Sequence, residues 1–177
     1  MKVHDIPNTV GQSIRALTRL GADFMTLHGT GGRAMMEAAA EAVRDEAEKL
    51  RIERPRLLAV TVLTSIDEDA WKEIGGRDNI ADSVKNLARL AKEAGIDGTV
   101  SSPYEAKEIR SMNGPEFLIV TPGIRPTFAV ANDQKRFTTP SQALRDGASH
   151  LVIGRPITKA DDPKEAAAKI LAEIQGV

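Results

Sequence analysis

The sequence contains no cysteine. No disulfide can staple it, no thiolate can ligate zinc, and no cysteine can serve as a nucleophile. Such usage fits a reducing cytoplasm, which is the expected location. Aromatic residues make up only 3% of the chain, too few for the stacking platforms that grip single-stranded nucleic acid. No apolar run approaches the roughly 20 residues needed to span a bilayer. The opening segment Met1-Lys2-Val3-His4-Asp5-Ile6-Pro7 has no apolar core, so it does not read as a targeting signal. An excess of charge is missing too: 24 Lys and Arg stand against 25 Asp and Glu. That balance argues against a nucleic-acid or membrane surface.

What is present is an alternation of short β-rich runs and amphipathic helical stretches. Val10, Ile14, Leu17 and Leu20 form one apolar stripe, which predicts a helix over 10–20 capped by Thr9 and closed by Gly21. Residues 22–28 read as a strand, Gly29-Thr30-Gly31-Gly32 as a turn, and Ala- and Glu-rich 33–50 as a helix. Residues 56–63 form a continuous apolar run that suits a strand buried on both faces. Further units follow: a short helix at 67–74, a helix at 80–94, a strand at 98–102, a helix at 103–112 and a strand at 117–121. A polar loop then spans 122–138, before a helix at 140–146, a strand at 148–154 and a helix at 163–174. With a strand stub at 2–4, this is a series of βα units in one domain, 1–177, and it predicts a parallel sheet flanked by helices.

An open doubly wound sheet and a (β/α)8 barrel both fit. The barrel is favoured because the polar, Gly- and Pro-rich segments nearly all follow strands, where barrel enzymes carry their chemistry. A whole barrel needs about 250 residues, and at least about 200. These 177 residues supply too few strands to close one.

Seven segments resolve that conflict by resemblance. Lys2-Val3-His4-Asp5-Ile6-Pro7-Asn8-Thr9 resembles the signature of orotidine 5′-monophosphate decarboxylases, Asp-x-Lys-x-x-Asp-Ile-Pro-Asn-Thr, from its Lys onward. His28-Gly29-Thr30-Gly31-Gly32, Val62-Leu63-Thr64-Ser65 and Ser101-Ser102-Pro103 follow in the family's order. So do Val120-Thr121-Pro122-Gly123-Ile124-Arg125-Pro126, Asn132-Asp133-Gln134-Lys135-Arg136 and Val152-Ile153-Gly154-Arg155-Pro156-Ile157. The resemblance implies a partial TIM barrel of the ribulose-phosphate-binding type, comprising family strands four to eight and the end of strand three. It also implies an N-terminally truncated chain, as when an internal methionine is taken as the start. The family's first signature Asp would fall immediately before Met1, and an Asp and a Lys on the first two strands have no counterpart.

The resemblance further implies decarboxylation of orotidine monophosphate to UMP, without metal or organic cofactor, in a homodimer. Loss of CO2 leaves an electron pair in the ring plane at C6, which only local electrostatics can stabilise. Lys2 would supply the ammonium and the proton. Asp5 would be a flanking carboxylate that reaches into the partner's site, with Ile6 and Thr9 beside it. Gly154, Arg155, Gln134 and Arg125 would hold the phosphate, since the loops after the last two strands do so in such barrels. Thr64 would contact the substrate and Ser102 the pyrimidine edge. His28 reads as a structural, hydrogen-bonded histidine.

Two other readings stand beside this one. A related phosphosugar synthase or decarboxylase would use magnesium; Ile6-Pro7-Asn8-Thr9 and Gln134 speak against it. A barrel fragment without enzymatic activity would fold and self-associate.

Overall fold

The computed structural model describes residues 1–128 and 138–175. Six parallel strands form one sheet in sequential order: β1 (Lys2–Val3), β2 (Phe24–His28), β3 (Arg56–Val60), β4 (Gly98–Val100), β5 (Leu118–Thr121) and β6 (His150–Leu151). The helices are α1 (Pro7–Arg19), α2 (Arg33–Leu50), α3 (Glu68–Glu73), α4 (Ile80–Glu93), α5 (Ala106–Asn113), α6 (Pro140–Arg145), α7 (Arg155–Thr158) and α8 (Pro163–Ile174). Gln134 lies outside the described residues.

Three elements depart from the sequence reading for local reasons. α1 begins at Pro7 rather than after Thr9, because proline's fixed φ suits the first helical position. Ahead of it, the Asp5 carboxylate accepts the Ile6 N–H at 2.7 Å. β3 stops at Val60; Thr61 keeps its N–H on Val100 O, and its hydroxyl donates to the same carbonyl as the chain turns away. The expected strand at 148–154 shrinks to β6, which pairs with β5 alone, and Gly154 then opens the one-turn helix α7.

Alternation along each strand sorts the side chains. Val3, Leu27, Ala59 and Ile119 form one in-register row and pack outward against the helices. Met36, Val43, Val84, Ala88 and Ile109 meet them from the helical layer. Lys2, Thr26, Leu58, Gly98 and Leu118 form the neighbouring row on the inner face. A Cβ on Gly98 would lie 2.2 Å from Leu118 O, so only glycine permits this strand approach.

The sheet is an arc. By register, His150 of β6 shares a row with Val120, Val100, Val60 and His28. In space, His150 meets Phe24, with ring centroids 5.6 Å apart and edge to face. Two strands separated by three others therefore touch, and with an offset of four residues along β2. Curvature plus stagger is what strand tilt produces in a closing barrel. This matches the expected partial barrel.

Polar clamps hold the N-terminal ends of the strands. Asp97 accepts Leu57 N–H at 2.8 Å and Arg54 Nη1 at 2.9 Å, with Arg56 alongside. Arg110 donates to the carbonyls of Gly114, Pro115, Phe117 and Gly147 at 2.7–3.1 Å. Lys92 caps Asn113 O at 2.8 Å.

Burial of Asp97 opposes its charge, but hydrogen bonds from Arg54 and the Leu57 N–H outweigh it and hold the carboxyl below the ordinary range. A depressed carboxyl contributes its stability above the unfolded-state pKa of about 4 and loses it as pH falls through the lower folded value. Asp97→Asn should cost about 2 kcal/mol in urea unfolding at neutral pH, as expected for a charge-assisted hydrogen bond. The variant should also lose part of the acid sensitivity below about pH 4. An unchanged acid limb in the variant would show that the pair does not couple to folding.

Candidate functional site

Among the candidate residues that the structure describes, Lys2 lies within β1 and the others follow the C-terminal ends of strands. Lys2 lies on β1 and faces the hollow of the arc. Thr26 supports it from β2, donating its hydroxyl to Met1 O at 2.7 Å. Beyond β3 the chain passes Thr64 and enters a loop whose short helix α3 is capped by Asp67 through the Ala70 N–H. The chain's sole tryptophan, Trp71, sits in this loop, its indole N–H donating to Asp78 O at 3.1 Å. A Cβ on Gly76 would collide with the indole at 2.3 Å, so the ring and the turn are fitted to each other.

Lys2 and Thr64 line one cavity of about 380 Å³. Its walls are the inner-face residues Thr26, Leu58, Val60, Val100 and Val120, and its rim includes Pro122 and Val152. The composition suits a small ligand: mostly apolar walls with a few polar groups, Lys2, Thr26, Thr64 and Ser101. Arg125 and Arg155 are not among the lining residues; each lies three positions beyond a rim residue. Ser101 lines the cavity, whereas the Ser102 hydroxyl accepts the Tyr104 N–H at 3.3 Å and caps the following turn.

Asp5, Ile6 and Thr9 follow β1 and are exposed. Asp5 and Ile6 border a separate shallow hollow with His4, Pro7, Thr30 and Gly31. Gly154 is open to solvent and heads α7, and Arg155 is half-buried. Arg125 is only 7% exposed. Its Nη1 donates to Ile124 O at 2.9 Å, while Nε and Nη2 are buried without a hydrogen-bond partner among the described residues. Buried donors left unmade are costly, which makes Arg125 a place where an acceptor would be welcome.

Sequence reasoning missed one pairing. His28 makes a ring stack with His4 at 5.1 Å centroid distance and 27° between planes. The Lys2–Thr26 and Val3–Leu27 register continues into this pair, so aligning the two strand ends could have found it. A larger hollow of about 690 Å³ opens at the opposite end, among Phe24, Arg56, Asp97, Phe117 and His150. Arg56 there is held by Asp97 and Lys92 by Asn113 O, which marks the structural end of the barrel rather than its chemical one.

A curved parallel sheet with an apolar cavity at its C-terminal strand ends defines a (β/α)-barrel enzyme. The chain belongs to the orotidine 5′-phosphate decarboxylase / HUMPS family, whose model matches residues 1–170. It is 54% identical over 178 aligned residues to the orotidine 5′-phosphate decarboxylase of Moorella thermoacetica, covering 100% of this chain and 71% of that one. It is likewise 54% identical to the same enzyme of Trichlorobacter lovleyi, over 98% of this chain and 71% of that one. The crystal structure of orotidine 5′-phosphate decarboxylase from Lactobacillus acidophilus superposes with a TM-score of 0.85 at 42% identity, over 99% of this chain and 73% of that chain.

Arg125→Met removes the two donors that lack a partner among the described residues, together with the Nη1 bond to Ile124 O, at similar length. Its thermal midpoint without ligand should equal or exceed that of the parent chain. Millimolar inorganic phosphate should raise the midpoint of the parent chain and not that of the variant. A lower midpoint together with an undiminished phosphate response would show that Arg125 is a packing residue.

Proposed function

We propose that this chain carries the site that converts orotidine 5′-monophosphate to UMP in pyrimidine biosynthesis. The observation that carries the reading is Lys2 on the wall of an apolar cavity that Thr64 also lines. The pyrimidine would lie in the cavity with Thr64 and the Ser101–Ser102 edge along its polar rim. The C6–carboxylate bond breaks and CO2 leaves with its carbon. The bonding pair stays on C6, beside the Lys2 ammonium, and a proton from Lys2 then forms the new C6–H bond. Apolar walls raise the value of that charge by excluding water. The chemistry calls on no metal and no organic cofactor.

The phosphate would be held beyond the rim. Gly154 offers backbone N–H, Arg155 and Arg125 offer guanidinium donors, and Gln134 an amide. Arg155→Ala should weaken UMP binding by at least tenfold while leaving uridine binding nearly unchanged. Equal losses for both ligands would remove Arg155 from the phosphate site.

Asp5, Ile6 and Thr9 are exposed, and none of them lines the cavity that holds Lys2 in the same chain. This supports a homodimer in which they complete the partner's site. Among the described residues, no helix is long and apolar enough to cross a membrane. We take the enzyme to act in the cytoplasm.

The family's other Asp and Lys partners of the reacting lysine have no counterpart in these residues. Groups that act as a unit lose most of their effect when one is absent, and a misplacement of about 1 Å can cost roughly 100-fold. UMP formation by the 177-residue chain should therefore be at least 100-fold slower than by a version extended upstream of Met1. Comparable turnover would mean that those partners are dispensable.

One feature supports the other reading, a self-associating fragment without activity. Phe24 at one end of the sheet, and Leu63 and Val152 at the cavity at the other, are 41–50% exposed. Light scattering separates the cases: association without UMP binding favours the fragment, and a dimer that binds UMP favours the enzyme.

A further inference from the structure

We propose that Glu173 is a positioning residue for the phosphate half of the site, its carboxylate joining the two stems of the connection between β5 and α6 and thereby fixing Arg125. α8 packs against α6 and α7. Its buried residues are Ala166 and Ile170, and Glu173 lies one further turn along the same face. A carboxylate in a last helical turn works against the helix dipole, and α8 has no basic residue there to offset it. Helix formation therefore gives no reason for an acid at this place. The contacts of Glu173 supply one. Oε2 accepts the Thr127 N–H at 3.3 Å and the Thr127 hydroxyl at 3.5 Å, on the stem that leaves β5. Oε1 accepts the Ser141 hydroxyl at 3.5 Å, in the first turn of α6. Each bond is long, but one side chain spans both stems.

Arg125 lies between these ties. Gly123 O accepts the Thr138 N–H at 3.2 Å, and the Arg125 N–H donates to Thr138 O at 2.8 Å, so the two stems run side by side where they pass Arg125. Ile124 packs with Ala143 of α6. Further along the outgoing stem, the next bond among the described residues is that of Thr127 to Glu173. The Arg125 guanidinium touches its own stem through Ile124 O and keeps Nε and Nη2 buried without a partner among the described residues. The direction of those two donors follows the course of the stem. Thr138 fixes that course on one side of the guanidinium, and Glu173 fixes it on the other. The link to ligand binding rests on the reading of Arg125 given above. Charge and position then act with opposite signs. A carboxylate close to an anion site repels the anion, so a Glu173 that acted by charge alone would tighten phosphate binding when removed. A Glu173 that positions Arg125 would weaken it.

The test is calorimetric binding of UMP and of uridine to the 177-residue chain. Glu173→Ala should weaken UMP binding about fivefold, the scale on which side chains outside a site modulate it, and leave uridine binding unchanged. Glu173→Gln should stay close to the parent, since its amide carbonyl can accept the Thr127 N–H and its NH2 group can donate to Ser141 Oγ. In an Arg125→Met background, Glu173→Ala should add no further loss. UMP binding that is unchanged or tighter in Glu173→Ala, equal losses of UMP and uridine, a loss that Glu173→Gln shares, or full additivity with Arg125→Met would each overturn the proposal. Should Glu173→Ala not fold, Ser141→Ala cuts the bridge at its other end and is read the same way. If the parent does not bind UMP, or binds it as Arg125→Met does, the phosphate reading of Arg125 fails in this chain, and the anchor is judged by amide hydrogen exchange. The Arg125 and Thr138 amides should exchange about tenfold faster in Glu173→Ala than in the parent, and at parental rates in Glu173→Gln. Unchanged exchange in Glu173→Ala would remove the anchor as well.

Discussion

Register is the constraint on which the rest of this structure depends. In every strand, neighbouring residues face opposite sides of the sheet, so a slip of one residue would exchange the two faces. Val3 would turn into the cavity and Lys2 into the helical layer. Gly98, which exists to let β4 and β5 approach, would be replaced in its row by a residue with a side chain. The register is pinned from below. Asp97 precedes β4 and grips the Leu57 N–H of β3, while Arg110 ties the turn before β5 to the turn before β6. These contacts are between groups next to the strands, so they fix the alignment of the strands as well as their proximity.

The two ends of the sheet are built on opposite principles. At the N-terminal end, polar groups are matched: a carboxylate takes guanidinium and amide donors, and a guanidinium takes four carbonyls. At the C-terminal end, donors are left over among the described residues, namely Nε and Nη2 of Arg125. A protein that binds a polar ligand has to keep part of its hydrogen-bonding capacity uncommitted. It can do so at one end because the other end is so thoroughly satisfied.

Much of the fold was legible in the sequence because helix and strand periods are local properties. Val84, Leu87 and Ala91 identify α4, and the apolar run after Arg56 identifies β3. Element ends were less legible where they depend on a neighbour. β6 is short because only β5 pairs with it, and β3 stops where Thr61 turns its hydroxyl onto Val100 O. Lys2 and Thr64 came from the family signature, and their sharing a cavity required the three-dimensional arc. The His4–His28 stack was hidden because it depends on how β1 aligns with β2. Ser101 and Ser102 could not be told apart by sequence, since which hydroxyl faces the cavity is decided by the turn that Ser102 caps.

Trp71 has a use that its structural role does not suggest. It is the chain's only indole, and there is a single tyrosine to compete with it for excitation near 280 nm (a general property of these chromophores). Its indole is half-buried, bonded to Asp78 O and set against Gly76, so a change in this loop should shift its emission. Ultraviolet fluorescence of this protein is therefore an optical report on one loop, the segment that follows Thr64. Events at the far end of the sheet, where Asp97 and Arg110 lie, would pass almost unseen in the same spectrum.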